Sequence, residues 1–287
     1  MEKRIMKKTW RSLLFIPANN EKFISAAATR QADAIILDLE DSVPNNQKAQ
    51  VRQSLPLHIE HLSQQGVDVL VRINDNILDA AADLEASVFP DTSAIIIPKV
   101  IGEEHLLLID QAITRIEFQR DIPCGTVKMI ALIETINGLE KAQLIARATP
   151  RLTGLALGTE DLSLDGGFEP TPENLFLPAQ KIIYAARLGS IAAYGFPASI
   201  ADYSDVERFA AYQQRAKSMG FNGALCIHPK QVVPINEAYM ATKAEREWAQ
   251  KVLVAYEQAM ENHRGVIEVD GKMVDAPVVE RAKQLLL

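Results

Sequence analysis

A (β/α)8 barrel of the TIM type, carrying a C-terminal hairpin–helix extension, is the fold this sequence predicts. Eight short apolar, β-rich runs alternate with helical stretches, and right-handed crossovers make such runs parallel neighbours. The rival, an open doubly wound sheet, more often stops at about five or six strands. A chain of 287 residues is also of ordinary size for one such barrel.

Residues 12–16 form the first run, which leaves through Pro17-Ala18-Asn19-Asn20 into a helical pattern at 21–30. The second, 34–39, ends Asp38-Leu39-Glu40-Asp41 and precedes a helix at 46–64. The third, 67–73, ends with Arg72 and Asn74 before a helix at 77–87. The fourth, 94–97, gives Pro98-Lys99 and then a helix at 103–118. The fifth, 129–133, closes on Glu134; a helical pattern at 139–148 follows a Gly break and stops at a Pro. The sixth, 152–157, is followed by Glu160 and Asp161, then a helix at 171–188. A weaker seventh run at 190–196 precedes a helix at 204–219, and the eighth, 224–227, exits through His228-Pro229. The barrel is complete within 1–235, leaving 236–287 as the extension. There a helix at 244–263 precedes two short runs, 266–269 and 272–274, joined by Asp270-Gly271, the pair a type I′ hairpin turn favours. Asp275 and Pro277 lead into a last helix at 278–286.

Hydrophobic residues make up 48% and charged residues 23%, consistent with a large core under a soluble surface. No apolar run reaches the roughly 20 residues of a membrane span, and no apolar signal segment follows the basic MEKRIMKKTW, so a cytoplasmic protein is expected. The net charge of −7 argues against a general nucleic-acid surface. Cys124 and Cys226 lack metal-site spacing and are expected to be reduced, buried thiols.

The stretch 128–167 holds the most informative chemistry. Two buried parallel strands exit on acid, and in a barrel such exits converge on one mouth. Glu134 and Asp161 are therefore read as ligands of one Mg²⁺. Taken alone, the pair could equally be solvated loop acids or helix caps. Asp38, Glu40 and Asp41 at another strand end, with Arg72 and Lys99 beside them, weigh against that. Arg72 is also open to a structural role as partner of Asp38 or Glu40. Lys99 is a Schiff-base candidate, ranked below the metal. His228 reads as a structural strand-end residue rather than a base. His58, His61, His105 and His263 read as surface. Gly154 and Gly158 have the wrong spacing for a dinucleotide fingerprint.

The runs RSLLFIPANN, AIILDLEDSVP, VRIN, IPKV, ALIETINGL, LALGTEDLSLDGG, GFNGALCIHPKQ and GKMVDAP resemble, in order and over nearly the whole chain, the citrate lyase β-subunit-like (CitE-like) branch of the HpcH/HpaI aldolase superfamily. The resemblance implies a TIM barrel that makes or breaks a carbon–carbon bond in acyl-thioester substrates with Mg²⁺, as a homotrimer or hexamer. It places the metal on Glu134 and Asp161, and the substrate carbonyl against Arg72. Asp38, Glu40 and Asp41 match an acidic strand end at which Glu40 orients Arg72. Asp275 matches an acid that enters the neighbouring subunit's site. Phe15, Pro17 and residues 19–22 match the rim that receives the thioester cofactor, with Arg11 or Lys22 as its basic help. Three departures stand out: Ala224 where the family commonly has Lys, Ala193-Tyr194 where the seventh strand often reads AID, and Ala18 where Gly is common.

The chemistry then expected is cleavage of a 3-hydroxyacyl-CoA bearing a carboxylate on the carbinol carbon, giving acetyl-CoA and a 2-keto acid. Citramalyl-CoA ranks first among substrates, ahead of malyl-CoA and citryl thioesters; an acyl-carrier-protein thioester is the alternative carrier. Arg72 would stabilise the enolate oxygen and Asp275 would protonate its carbon. Thioester hydrolysis on the same scaffold, or a non-catalytic place in a lyase complex, are the competing readings.

Overall fold

The computed structural model describes residues 9–261 and 265–286, and the chain divides into two compact units, 1–239 and 240–287. The first unit is the barrel. Its strands are β1 (Ser12–Pro17), β2 (Ala34–Asp38), β3 (Asp68–Arg72), β4 (Thr92–Ile97), β5 (Lys128–Ile133), β6 (Leu152–Leu157), β7 (Ala192–Tyr194) and β8 (Ala224–Cys226). All barrel pairings are parallel, in the order β7-β6-β5-β4-β3-β2-β1-β8. The remaining seam between β7 and β8 is joined by Asn222 N–H donating to Ala193 O (2.8 Å), Gly195 N–H donating to Gly223 O (2.9 Å), and a Tyr194–Gly223 bridge. β7 and β8 are short, which is why the seventh run was the weakest in sequence.

Side-chain alternation along each strand separates two apolar layers. Ile36, Leu70, Ile96, Ile130 and Leu225 fill the barrel interior, while neighbours such as Ile35, Val71, Ile95 and Ala131 pack under the helices. Tyr194 plugs the interior against Trp10, at 6.5 Å between ring centroids. It fits because position 154 is glycine: a Cβ there would lie 2.6 Å from the Tyr194 ring. The seventh-strand departure is thus met by packing within the barrel.

The N-terminal ends of the strands are tied by buried or half-buried ion pairs. Arg151 grips Glu117 with two N–H groups (2.8 and 2.9 Å), and Glu117 also accepts from Gly125 and Val127 N–H. Arg11 is held by Asp33 through Nε (2.8 Å) and Nη2 (2.7 Å), and sits immediately before β1. That end is opposite the mouth, so Arg11 cannot serve the rim at Phe15–Lys22; this corrects the sequence expectation. Cys226 is buried but Cys124 is exposed, and His58 is buried beside Glu21 (3.3 Å) rather than on the surface. His263 lies outside the described residues.

Two helical expectations changed. The pattern at 139–148 forms two short helices, Ile136–Glu140 and Ala142–Ile145, and a helix that was not expected, Thr159–Gly166, follows β6. The second unit carries the helix Lys243–Glu261, the hairpin β9 (Ile267–Val269) and β10 (Lys272–Val274), and the helix Ala276–Gln284. Asp270 (φ 52°) and Gly271 (φ 73°) take the left-handed conformations a type I′ turn requires. This unit has its own small core, including Val252, Val269, Val274 and Val279. None of the described helices is long and apolar enough to cross a membrane.

Candidate active site

Parallel register delivers the strand ends to one level: Pro17 pairs with Asp38, and Asp38 with Arg72. There a cavity of about 370 Å³ opens, lined by Phe15, Pro17, Asp38, Asp41, Arg72, Glu134 and Asp161 among others. Seven residues singled out from sequence therefore share one space. Glu40 and Lys99 stand behind this lining. Lys22 is exposed on the helix Glu21–Ala26 and does not line the cavity. Asp275 belongs to the second unit, where its carboxylate caps the last helix by accepting from Val278 N–H (3.4 Å).

Arg72 is buried among acids. Its Nε and Nη2 donate to the two Asp38 oxygens (2.7 and 2.9 Å), and Nη2 lies 3.2 Å from exposed Asp41. Glu40 Oε2 sits 3.0 Å from Nη1, but without hydrogen-bond alignment; that oxygen is buried and unpartnered among the described residues. The fork is thus oriented by Asp38, while Glu40 contributes charge. Phe15 covers the guanidinium, with its centroid 4.7 Å from Cζ. Burial alone would raise the Asp38 pKa; the Arg72 bonds and charge, with Ser42, outweigh it and hold Asp38 below the usual carboxylate range. Ser42 Oγ donates to Asp38 Oδ2 at 2.6 Å.

Lys99 links this cluster to Glu134. Its ammonium donates to Glu40 Oε1 (2.8 Å) and its backbone N–H donates to Glu134 Oε2 (2.9 Å). The residue adopts φ 47°, a left-handed conformation that costs a lysine on the order of 1 kcal/mol. Burial disfavours the ammonium, but Glu40, with Asp75 and Glu134, more than offsets this and raises the Lys99 pKa. An amine held as ammonium is a poor Schiff-base nucleophile, so the geometry disfavours that role. Burial pushes Glu40 upward, against the pull of Arg72 and Lys99.

Glu134 is 4% exposed and immediately follows β5. Burial pushes its pKa up to about 8, against the Lys99 N–H, and the charges of Glu40 and Asp161 add to the rise. Its place depends on Gly158 at the end of β6, where a Cβ would lie 2.7 Å from Glu134 Oε1. Asp161, half-buried, stands in the first turn of Thr159–Gly166, next to Glu160, whose Oε1 accepts from Ser199 Oγ (2.6 Å). Sequence reasoning missed Gly158, Ser42 and the apolar wall formed by Leu132, Leu157, Ile200, Leu225 and Ile227. The glycine was detectable as a small residue at an acid-bearing strand exit; the wall was not, because its members come from four separate segments. His228 caps the turn after β8, its Nδ1 accepting from Lys230 N–H (3.1 Å), and stacks on Tyr203 at 4.4 Å.

Acids and one arginine, supplied to a common mouth by separate strand ends, are the plan of a (β/α)8 barrel enzyme. The chain belongs to the HpcH/HpaI aldolase/citrate lyase family, whose model matches residues 11–229, and is an enzyme of that lyase family. It is 34% identical to the citrate lyase subunit beta of Escherichia coli, over 97% of this chain and 93% of that one. It is 33% identical to a (3S)-malyl-CoA thioesterase of Cereibacter sphaeroides, over 96% and 93%. Among solved structures it matches CitE of Mycobacterium tuberculosis in complex with magnesium, acetoacetate and coenzyme A. That likeness has a TM-score of 0.76 and 29% identity, and covers 96% of each chain.

Proposed function

We propose that this chain is a Mg²⁺-dependent lyase that cleaves a 3-hydroxyacyl-CoA, carrying a carboxylate on the carbinol carbon, into acetyl-CoA and a 2-oxo acid. The observation that carries this reading is Glu134. It is a buried carboxylate short of positive charge, sharing a cavity with a second acid, Asp161, and with Arg72. A divalent cation would supply the missing charge. No group of three or more His, Cys, Asp or Glu is arranged to hold an ion among the described residues. Two carboxylates nevertheless fit magnesium, which keeps several waters and shares its oxygen shell with substrate. The magnesium complex of the M. tuberculosis relative is consistent with that assignment.

When bound, magnesium supplies Lewis-acid polarisation of the substrate's hydroxyl and carboxylate oxygens. The chain's own residues do the rest. The hydroxyl proton leaves to solvent as the carbinol C–O becomes a carbonyl. The bond between the carbinol carbon and the thioester α-carbon breaks, and its electron pair passes to the thioester enolate. Arg72 Nη1, which lies 3.0 Å from Glu40 Oε2 but makes no aligned hydrogen bond among the described residues, is the donor assigned to the enolate oxygen. Asp38 locks the plane of the guanidinium, so this donor is aimed before reaction begins. Lys99 holds Glu40 against the same arginine and fixes Glu134 through its N–H. Asp275, offered by a neighbouring subunit of a homotrimer or hexamer, protonates the enolate carbon to complete acetyl-CoA. Phe15, Pro17 and Lys22 receive the CoA arm.

Similarity to malyl-CoA thioesterases favours a second reading, in which the same site releases free CoA by hydrolysis. Metal-stripped protein, incubated with citramalyl-, malyl- and citryl-CoA with and without Mg²⁺, separates the two. Mg²⁺-dependent appearance of a 2-oxo acid with the thioester intact is expected. Free thiol released without a 2-oxo acid would replace the lyase by the thioesterase.

A further inference from the structure

The exits of β2 and β3 are held together by a buried polar cluster that takes no part in the steps above. The last backbone rung between these strands is Leu39 N–H donating to Arg72 O (3.0 Å). Beyond it the next rung is supplied by a side chain: Asn74 Nδ2 donates to Leu39 O (3.1 Å). Leu39 stands between Asp38, which takes the guanidinium fork, and Glu40, which faces Nη1. Its N–H and its carbonyl are thus both pinned to the exit of β3.

Asn74 is itself anchored from two helices. Asp83, 0% exposed on the helix Ile77–Ser87, accepts from Asn74 N–H and Nδ2 (both 2.7 Å), and its other oxygen accepts from Arg52 Nε (2.6 Å). Lys48, buried on the helix Asn45–Gln64, donates its ammonium to Asn74 Oδ1. The amide therefore has one satisfiable orientation. Its oxygen must face the ammonium, which only donates, and its nitrogen the carboxylate, which only accepts. Aspartate at this position would set a second carboxylate against Asp83; leucine would leave a buried ammonium without its acceptor. Asn74 is 2% exposed and does not line the cavity, so it cannot touch substrate. From this we infer, on the assignment of Arg72 to the enolate above, that Asn74 is a positioning residue for that arginine. By fixing the spacing of the two exits it makes Asp38 and the guanidinium meet in one plane and so aims Nη1.

Two measurements test this. Asn74→Ala should lower kcat about 100-fold, the scale of an ångström-sized misplacement, while KM moves by less than about threefold. In an Arg72→Lys background no fork remains to be aimed, and the same change should cost no more than about twofold. A full ~100-fold loss in that background would mark a general structural effect and overturn the inference. The second measurement needs no turnover. In protein labelled with ¹⁵N-arginine, the Arg72 Nε–H signal, identified by its disappearance in Arg72→Lys, should exchange with solvent at least ~10-fold faster in Asn74→Ala. Arg151 Nε–H, which donates to Asp110 (2.6 Å) at the opposite end of the barrel, should exchange at its original rate. Equal acceleration at both arginines, or at neither, would also overturn the inference. Should Asn74→Ala not fold, Lys48→Met removes only the anchor of the amide oxygen and carries both measurements, with about tenfold expected in kcat and the same contrast between Arg72 and Arg151. If no thioester is cleaved, the lyase reading fails, and the exchange comparison still decides whether Asn74 positions Arg72.

Discussion

Glu134→Gln should remove a pH dependence of stability that the metal-free protein otherwise carries. In the fold the Glu134 pKa lies at about 8, against an ordinary value of 4.5, mainly because burial penalises the carboxylate. The protonated form is thus favoured by folding. Its contribution is fully present below pH 4.5 and is lost as pH rises to 8. The separation, 8 − 4.5, is about 3.5 pH units; at about 1.4 kcal/mol per unit, the loss is roughly 5 kcal/mol at most. The open side of the cavity and the neighbouring titration of Glu40 reduce that figure. Glutamine is neutral at every pH and nearly isosteric. Urea unfolding in EDTA, at intervals from pH 5 to 9, should show the wild type losing stability relative to Glu134→Gln by up to ~1.4 kcal/mol per pH unit across the window. Groups common to both proteins cancel in the difference. Saturating Mg²⁺ should stabilise the wild type more at pH 8 than at pH 5, with proton release at the lower pH. Parallel stability curves for the two proteins would refute the idea that Glu134 is a charge-starved carboxylate.

Arg72→Lys keeps a positive charge but loses the fork that Asp38 holds; kcat should fall by about 100- to 1000-fold while stability falls by only ~1–2 kcal/mol, and wild-type turnover would exclude Arg72 as the enolate donor. Lys22→Gln should raise KM for the CoA substrate, more at low than at high ionic strength; a KM unmoved at either would take Lys22 out of cofactor binding. Glu134→Ala and Asp275→Ala, each inactive alone, should recover part of the activity when unfolded together and reassembled, because some mouths then pair an intact metal site with an intact tail. Mixed oligomers confirmed by mass that stay inactive would confine Asp275 to its helix-capping role.

The barrel was legible because a buried parallel strand is a nearly continuous apolar run, and six of the eight are five or six residues long. β7, with three residues, left only a weak signal, whereas β8, equally short, was found at 224–227. The helix Thr159–Gly166 was not placed from sequence: it is short, only Leu162 among its apolar side chains is buried, and acids after a strand fit a loop or a helix start equally. The acids and arginine of the site were visible because charge just after a buried run is conspicuous. Their pairing was not. Lys99 and Glu40 are 59 positions apart, Arg72 and Asp38 are 34, and no local pattern says that Asp38 rather than Glu40 takes the fork. Nor does spacing show that Lys99 turns through a left-handed conformation to reach two acids at once.

The most direct test of the metal assignment is the position of a bound ion. Crystals of the protein grown with Mn²⁺ in place of Mg²⁺, measured at the manganese absorption edge, should give one anomalous peak between the carboxylates of Glu134 and Asp161, at roughly 2.1–2.2 Å from an oxygen of each. A peak elsewhere in the barrel mouth, or carboxylates more than about 6 Å apart with the ion present, would contradict it.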